Sequence, residues 1–217
     1  MSRKQSGFTL IEIAIVLVII GLLLGGVLKG QELITGARVR NLIAQQDGIK
    51  AAYFGFLDRY RALPGDYAAA QTNIPNILAA SPCGGGNGDG SGTITAAAGQ
   101  HENILVWEHL AKAGFINGSY TCAAAATSAT SPSNPYGGLV DLQFDAAFQN
   151  QAGSRHNLKT GASIPSDILA EVDRKVDDGN AGQGTFRSPA AADAACFAAG
   201  AWVTATPGTN CSGTTLF

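Results

Sequence analysis

The chain has 217 residues, a formal net charge of −2 and a pI near 5.9. Only 14% of its residues are charged and 46% are hydrophobic, which is enough apolar content for a folded protein. The lack of a basic excess argues against a nucleic-acid-binding protein, because such proteins usually present a positively charged face. The length allows one membrane segment and one domain of moderate size.

The N-terminal segment combines a basic start with a long apolar run. Residues 2–30 read SRKQSGFTLIEIAIVLVIIGLLLGGVLKG, and from Leu10 to Leu28 the only ionisable residue is Glu12. This run approaches the ~20 residues that a membrane-spanning helix needs. A cleavable secretory signal would have a shorter apolar core and an A-x-A-like site, which this segment lacks. A plain membrane anchor fits the length but leaves the glutamate unexplained, because ionisable residues inside spans usually mark function.

The stretch GFTLIEIAIVLVIIGLLLGGV resembles the N-terminal signature of type IV pilins and of the pseudopilins of type II secretion systems. The resemblance implies that residues 1–7 are a leader peptide, which a prepilin peptidase removes on the cytoplasmic side between Gly7 and Phe8. Phe8 then becomes the N-methylated first residue. The resemblance also implies that Glu12 pairs with the Phe8 ammonium, of its own chain or of a neighbour, during filament assembly. Two charges in an apolar site are both poorly solvated, so pairing them relieves both costs.

The apolar run continues into an amphipathic pattern with no proline before Pro64. Apolar residues recur three, four or seven apart, with Gln46 in the one missing place, and so form one stripe on a helix: Val39, Leu42, Ile49, Tyr53, Phe56 and Tyr60. We therefore predict one helix over residues 8–61, of which residues 8–29 form the transmembrane segment and later the filament core. Four glycines in its first half indicate close packing between helices, since small residues let backbones approach: Gly21, Gly25, Gly26 and Gly30.

Residues 62–217 form the predicted periplasmic or extracellular head. Helix-like spacing predicts a helix in ENILVWEHLAKAGFING, ending near Gly114, and another in SIPSDILAEVDRKVDDGN, ending near Gly179. Residues 138–145, GLVDLQFD, are the best strand, and GTFR and GAWVTA are shorter candidates. With the turn LPGDY and the loop NGDGSG, this order is similar to the head pattern of type II secretion and prepilin-like proteins. The expected fold is α+β and type IV pilin-like: a long N-terminal helix packed on a small antiparallel sheet, with disulfide-stapled loops.

The four cysteines are Cys83, Cys122, Cys196 and Cys211, all downstream of the apolar run. None forms a C-x-x-C pair, which argues against a zinc site or a thioredoxin-type site. An even number in an exported domain is typical of disulfides. Of the three connectivities we prefer Cys83–Cys122 with Cys196–Cys211, because partners near in sequence are easier to close. Free buried thiols are the alternative.

Two acidic stretches are candidate calcium sites. NGDGSG places Asn87 and Asp89 at alternate positions, as in calcium loops, but lacks the later acidic ligand of an EF-hand. DRKVDDG gathers Asp173, Asp177 and Asp178 at a helix C-terminus, where the helix dipole disfavours anions and a cation would offset it. The resemblance supports the second site, because major pseudopilins hold a C-terminal loop with calcium. The alternatives are a flexible glycine-rich turn and a solvated acidic helix end.

The histidines give no sign of catalysis. The stretch HENIL has Leu105 where the H-E-x-x-H zinc motif needs its second histidine. The spacing of His101, His109 and His156 fits no catalytic arrangement with a nucleophile. We therefore expect a non-enzymatic protein.

The resemblance implies a structural subunit of a type IV pilus or pilus-like filament, assembled by bundling of the N-terminal helices. The alternatives are a pseudopilin that acts in type II protein secretion and a membrane-anchored exported binding protein or enzyme. The expected partners are further copies of the chain in a helical filament, prepilin peptidase, and the pilus or secretion assembly machinery of the inner membrane. The expected location is the inner membrane of a Gram-negative bacterium, as a single-pass protein, and then a periplasmic or extracellular filament.

Overall fold

The computed structural model describes residues 9–78, 83–97 and 99–217. In chain order its elements are α1 (Leu10–Tyr60), α2 (Ala70–Asn73), a 3-10 turn (Gly84–Gly86), α3 (Glu102–Lys112), β1 (Asp141–Asp145), β2 (Arg155–Lys159), α4 (Ser166–Val176), β3 (Phe186–Arg187), β4 (Phe197–Ala198), β5 (Ala201–Trp202) and β6 (Thr214–Leu216). The long helix expected over residues 8–61 is therefore observed as α1. Gly7 and Phe8 lie outside the described residues.

The chain divides within α1 into two compact units, Met1–Arg38 and Val39–Phe217. In the first unit, α1 is long and apolar enough to cross a membrane, with a mean hydropathy of 2.8 over its most apolar 18 residues. Its large apolar side chains between Leu10 and Ile34 are exposed. So much exposed apolar surface indicates an apolar environment or a partner.

The second unit contains a four-stranded antiparallel sheet in the order β1-β2-β6-β3. The last strand of the chain, β6, lies between β2 and β3, so that Leu158 and Phe186 both flank Thr215. Strands β4 and β5 form a separate two-stranded ribbon. The predicted α+β, type IV pilin-like architecture is confirmed, since one long helix precedes a small antiparallel sheet and two disulfides.

The second half of α1 buries its apolar stripe in two clusters. The lower cluster joins α1 to α3, β1 and β2, through Ile49, Tyr53, Phe56, Trp107, Leu110, Leu142 and Leu158. The upper cluster joins α1 to α4, β3 and β5, through Val39, Leu42, Ile168, Leu169, Val172, Phe186 and Trp202. Gln46, the polar position in the stripe, is also buried and accepts a hydrogen bond from the Thr215 hydroxyl at 3.2 Å. The stripe predicted from sequence is therefore the face that α1 presents to the sheet and helices.

Two glycines close to predicted helix ends lie just beyond the helices. Helix α3 ends at Lys112 and α4 ends at Val176. Gly114 and Gly179 follow with φ of 82° and 78°, in the left-handed region that favours glycine. Glycine at such a position commonly ends a helix, which explains why the sequence placed both ends within three residues.

Helix α3 buries charged side chains as well as apolar ones. Glu102 and Glu108 are fully buried. The Glu108 carboxylate accepts hydrogen bonds from the backbone N–H groups of Leu78 (3.3 Å) and Cys122 (2.7 Å). Because these groups lie far apart in sequence, α3 holds together loops that have little regular structure of their own.

Candidate functional site

The start of α1 is built around a reciprocal pair of hydrogen bonds between Thr9 and Glu12. The backbone N–H and the hydroxyl of Thr9 both donate to Glu12 Oε2, each at 2.7 Å. The backbone N–H of Glu12 donates back to the Thr9 hydroxyl oxygen at 3.4 Å. Thr9 immediately precedes the helix and Glu12 is its third residue, so the pair forms a capping box.

The capping box gives the Glu12 carboxylate a partner within its own chain. In an apolar environment an ionised carboxylate without hydrogen bonds is strongly disfavoured, and two donors from Thr9 reduce that cost. All the hydrogen bonds that Glu12 accepts within the described residues fall on Oε2. The second oxygen, Oε1, keeps the capacity to accept from a cation. Thr9-x-x-Glu12 is a local signal that the sequence displays, although its capping role was not part of the prediction.

The predicted partner of Glu12, the amino group of Phe8, is not among the described residues, and neither is the cleavage junction after Gly7. Their pairing and processing therefore stay predictions. What the structure adds is the position of Glu12, in the first turn of an exposed apolar helix, where it is already held by Thr9.

Five glycines of α1 in the first unit lie beside open space. Apart from the neighbouring backbone of the helix itself, a Cβ added at any of them would meet no described atom within 4 Å: Gly21, Gly25, Gly26, Gly30 and Gly36. Each glycine nevertheless costs about 1 kcal/mol relative to alanine in a helix. Gly55, in the second unit, differs, because a Cβ there would lie 2.9 Å from the Phe115 ring. These five positions therefore leave open space beside α1 in which another helix can approach its backbone closely.

An ion pair between Lys29 and Glu32 follows the most apolar part of α1. Lys29 Nζ lies 2.7 Å from Glu32 Oε2, and both side chains are exposed. Spaced three residues apart on one helix face, the two charges neutralise each other locally. Leu33 and Ile34 follow with exposed side chains, so the apolar surface extends past the pair.

The four cysteines form the two disulfides that sequence proximity favoured, Cys83–Cys122 and Cys196–Cys211. The first ties the segment after α2 to the loop that follows α3. The second packs in the upper cluster beside α4. Both disulfides fix loops rather than the sheet, which is consistent with a stapling function.

The three acidic residues at the end of α4 come together as predicted. Asp173, Asp177 and Asp178 each offer a carboxylate oxygen within 4.8 Å of the others. The Asp173 carboxylate accepts from the indole N–H of Trp202 at 2.7 Å, and burial raises the pKa of this carboxyl. The Asp177 carboxylate accepts from the backbone N–H groups of Thr185 and Phe186. These oxygens fit a calcium ion by type, and binding of calcium stays a prediction.

The other two predicted ligands, Asn87 and Asp89, have different neighbours, and binding of calcium by them stays a prediction. Asn87 Oδ1 accepts from the backbone N–H of Gln71 at 2.9 Å. Asp89 instead joins Asp66 and Glu102, with carboxylate oxygens within 4.8 Å of one another. Burial raises the pKa of Asp66 and of Glu102, whereas hydrogen bonds from Ser91 lower the pKa of Asp89. Sequence reasoning missed Asp66 and Glu102 because they belong to a turn and a helix that are separated from the NGDGSG loop along the sequence, although the fold brings them close to it in space.

The comparisons with known proteins concern the N-terminus. Residues 2–28 match the family described as the prokaryotic N-terminal methylation motif. This motif is the signature of type IV pilins and pseudopilins. No curated protein and no solved structure matches the chain significantly.

Proposed function

We propose that this chain is a structural subunit of a type IV pilus or pilus-like filament, processed by a prepilin peptidase and assembled by bundling of its N-terminal helices. The observation that carries the proposal is the coincidence of the methylation motif with Glu12 on an exposed apolar helix. The family that carries this motif is structural rather than enzymatic.

The exposed apolar surface of the first unit supports two environments for it, the membrane and the filament core. Before assembly, the apolar part of α1 spans the inner membrane, as its length and hydropathy allow. After assembly, the same surface packs against the helices of neighbouring subunits, and the open glycine positions let those helices approach closely. The head then lies in the periplasm or outside the cell.

Glu12 links these two states. In the membrane-bound subunit its carboxylate is held by Thr9. In the filament its second oxygen receives the ammonium that cleavage creates at Phe8 of the same or a neighbouring chain. The ion pair is favoured because, without it, both charges would be unpaired in an apolar environment.

The proposal is tested by comparing cells that contain or lack the prepilin peptidase. We expect surface filaments containing this chain only when the peptidase is present, with the uncleaved chain retained in the membrane fraction when it is absent. Filaments that form equally well from the uncleaved chain would overturn the proposal.

The second candidate function is that of a pseudopilin in type II secretion, because pseudopilins carry the same N-terminal motif. Deletion of the gene separates the two candidates. Loss of surface filaments with normal export of secreted enzymes favours the pilus, whereas accumulation of those enzymes in the periplasm favours the secretion pseudopilus. A chain that keeps its Met1 terminus in peptidase-containing cells would instead be a plain membrane anchor carrying an exported binding domain.

A further inference from the structure

The imidazole of His109, on α3, joins two loops that are far apart in sequence. The side chain is fully buried. Its Nδ1 accepts a hydrogen bond from the backbone N–H of Gly65 at 2.9 Å, and its Nε2 lies 3.0 Å from the carbonyl oxygen of Gly86. The ring is stacked on Phe56 of α1, with an interplanar angle of 10°.

These partners fix the charge and tautomer of the ring. A backbone N–H only donates and a carbonyl oxygen only accepts, so Nδ1 must carry a lone pair and Nε2 must carry the proton. The ring that satisfies both loops is therefore the neutral Nε2–H tautomer. If the ring were protonated, its Nδ1–H would point at the backbone N–H of Gly65. The two nitrogen atoms are 2.9 Å apart, which is too close for a water molecule to lie between them.

The two loops depend on each other as well as on His109. The backbone N–H of Gly88 donates to the Tyr67 carbonyl at 3.1 Å, and that of Gly90 donates to the Asp66 carbonyl at 3.0 Å. The Asp66 carboxylate in turn accepts from the N–H groups of Ser91 and Gly92. Residues 63–67 and 84–92 thus form one hydrogen-bonded unit, here called the paired loops. His109 attaches this unit to the second half of α3, and the backbone N–H of Asp89 attaches it to the start of α3 by donating to Glu102 Oε1 at 3.2 Å.

We propose that His109 is an acid-released latch: protonation of its ring releases the paired loops from the second half of α3 and opens this side of the head reversibly, while the sheet and α1 stay folded. The latch would let the surface formed by the paired loops respond to acidification outside the cytoplasm. It does not depend on whether the chain serves a pilus or a secretion system.

The titratable and charged groups near the latch come from α1, from the paired loops and from α3. On the α1 side, the Phe56 ring stacks on His109 and also lies against the rings of Tyr60, Tyr67 and Phe115. On α3, the Glu108 carboxylate accepts from the N–H groups of Leu78 and Cys122, and Lys112 is at the helix end.

Hydrogen bonds from Ser91 lower the pKa of Asp89 in the paired loops, so this carboxyl disfavours closure only below the ordinary aspartate pKa of ~3.9, outside the range from pH 7.5 to pH 5. Two other carboxyl groups of the region, those of Asp66 and Glu102, respond to acid with the opposite sign to His109. Burial raises their pKa, so the closed form takes up protons more readily than the open form, and acid favours closure through them. Burial lowers the pKa of His109 to about 4, so the closed form takes up its proton less readily. Through His109 the closed form is fully favoured above the pKa of an exposed histidine, ~6.5, and loses that advantage as the pH falls toward 4.

The size of the response follows from these two pKa values. With a ring pKa of about 4 when closed and ~6.5 when open, His109 by itself makes the closing equilibrium about 30-fold weaker at pH 5 than at pH 7.5. Relative to a chain in which residue 109 does not titrate, protection of the Gly65 N–H against hydrogen exchange should fall by this factor, after correction for the intrinsic pH dependence of exchange.

The experiment measures amide hydrogen exchange of the full-length protein in detergent micelles at pH 7.5 and pH 5, at Gly65, whose N–H bonds to His109, and at Gly88 and Gly90, whose N–H groups bond within the paired loops. We expect that lowering the pH weakens protection at Gly65 about 30-fold more in the native chain than in His109→Gln, which does not titrate at this position and keeps the opposing response of Asp66 and Glu102, while Gly88 and Gly90 stay protected. The control is His156→Gln, which removes a partly buried histidine whose pKa burial lowers, and which should respond as the native chain does. An equal response of Gly65 in the native chain and in His109→Gln overturns the latch.

A second measurement uses only the native chain, in case His109→Gln fails to fold. The nitrogen-15 chemical shifts of the His109 ring report its tautomer and charge directly. A neutral Nε2–H ring that persists to pH 5 supports the latch. A ring that is already charged at pH 6 without loss of protection at Gly65 overturns it.

Discussion

Replacing Glu12 by glutamine separates the charge of this side chain from its capping role. Glutamine also serves at the third position of a capping box, so Glu12→Gln keeps the bonds to Thr9 that start α1. The substitution removes only the charge. Because placing an ionised carboxylate at the centre of a membrane helix costs up to ~2.5–3.5 kcal/mol, the variant should enter the membrane at least as well as the native chain.

Filament assembly, in contrast to membrane insertion, should be weakened by Glu12→Gln. Removing one partner of a buried ion pair costs about 3–5 kcal/mol, because the other charge is left uncompensated. Since 1.4 kcal/mol is a tenfold change in an equilibrium constant, polymerisation of Glu12→Gln should require at least about a 100-fold higher subunit concentration. The matched variant Thr9→Val keeps the charge and loses the hydroxyl, which should cost about 1 kcal/mol and hence about a fivefold change.

The assay compares the amount of subunit in the membrane fraction with the amount in filaments sheared from the cells. We expect equal membrane levels for the native chain, Glu12→Gln and Thr9→Val. Filament yield should fall strongly in Glu12→Gln and moderately in Thr9→Val, with Thr9→Ser restoring it. A filament yield from Glu12→Gln equal to that of the native chain would refute the ion pair and leave helix capping as the function of Glu12.

Three further predictions concern the helix and the head. Gly26→Leu should leave membrane insertion intact but reduce filament yield, because the open space beside this glycine serves a neighbouring helix; an unchanged yield would show that no helix packs there. Replacing both Cys196 and Cys211 by serine, which opens a loop with a sequence separation of 15, should lower the free energy of unfolding by about 3 kcal/mol, measured by urea denaturation of the full chain. Calcium should give a higher melting temperature than a chelator does, because calcium at 100 times its dissociation constant stabilises the folded protein by about 2.7 kcal/mol. Asp177→Asn should abolish this difference. A melting temperature that the chelator leaves unchanged rules out the site.

The parts of the fold that the sequence predicted are those whose signals are local. The α1 stripe, α3 and α4 have apolar residues at helical spacing, and Gly114 and Gly179 mark where two of these helices stop. Strand β1 was predicted from the partial alternation of GLVDLQFD. Such patterns depend only on neighbours along the chain, so they can be read without knowing the tertiary structure.

The parts that the sequence missed depend on distant partners. Strand β2 reads RHNLK and β6 reads TTL, which have few apolar residues. They are strands because β2 pairs with β1 and β6, and β6 pairs with β2 and β3. Glu108 and His109 were assigned no structural function, because their partners are backbone groups of loops that are not adjacent in sequence. A buried polar side chain and its partner are a tertiary property, and composition does not reveal them.

At the candidate assembly site, the residues that matter could be identified from the sequence. Glu12 was singled out by its charge in an apolar run, and the Thr9-x-x-Glu12 spacing of the capping box was present in the sequence. The acidic group at Asp66 illustrates the opposite case, since Asp89 was predicted as a ligand but its neighbours Asp66 and Glu102 come from separate elements.

The central claim is that this chain leaves the membrane as a processed filament subunit, and the mass of its N-terminal peptide in purified filaments tests that claim most directly. The account predicts a peptide that begins at Phe8 and carries one methyl group on its amino nitrogen, in filaments sheared from cells and analysed by mass spectrometry. A peptide that begins at Met1 or Ser2, or filaments that do not contain the chain, would contradict it.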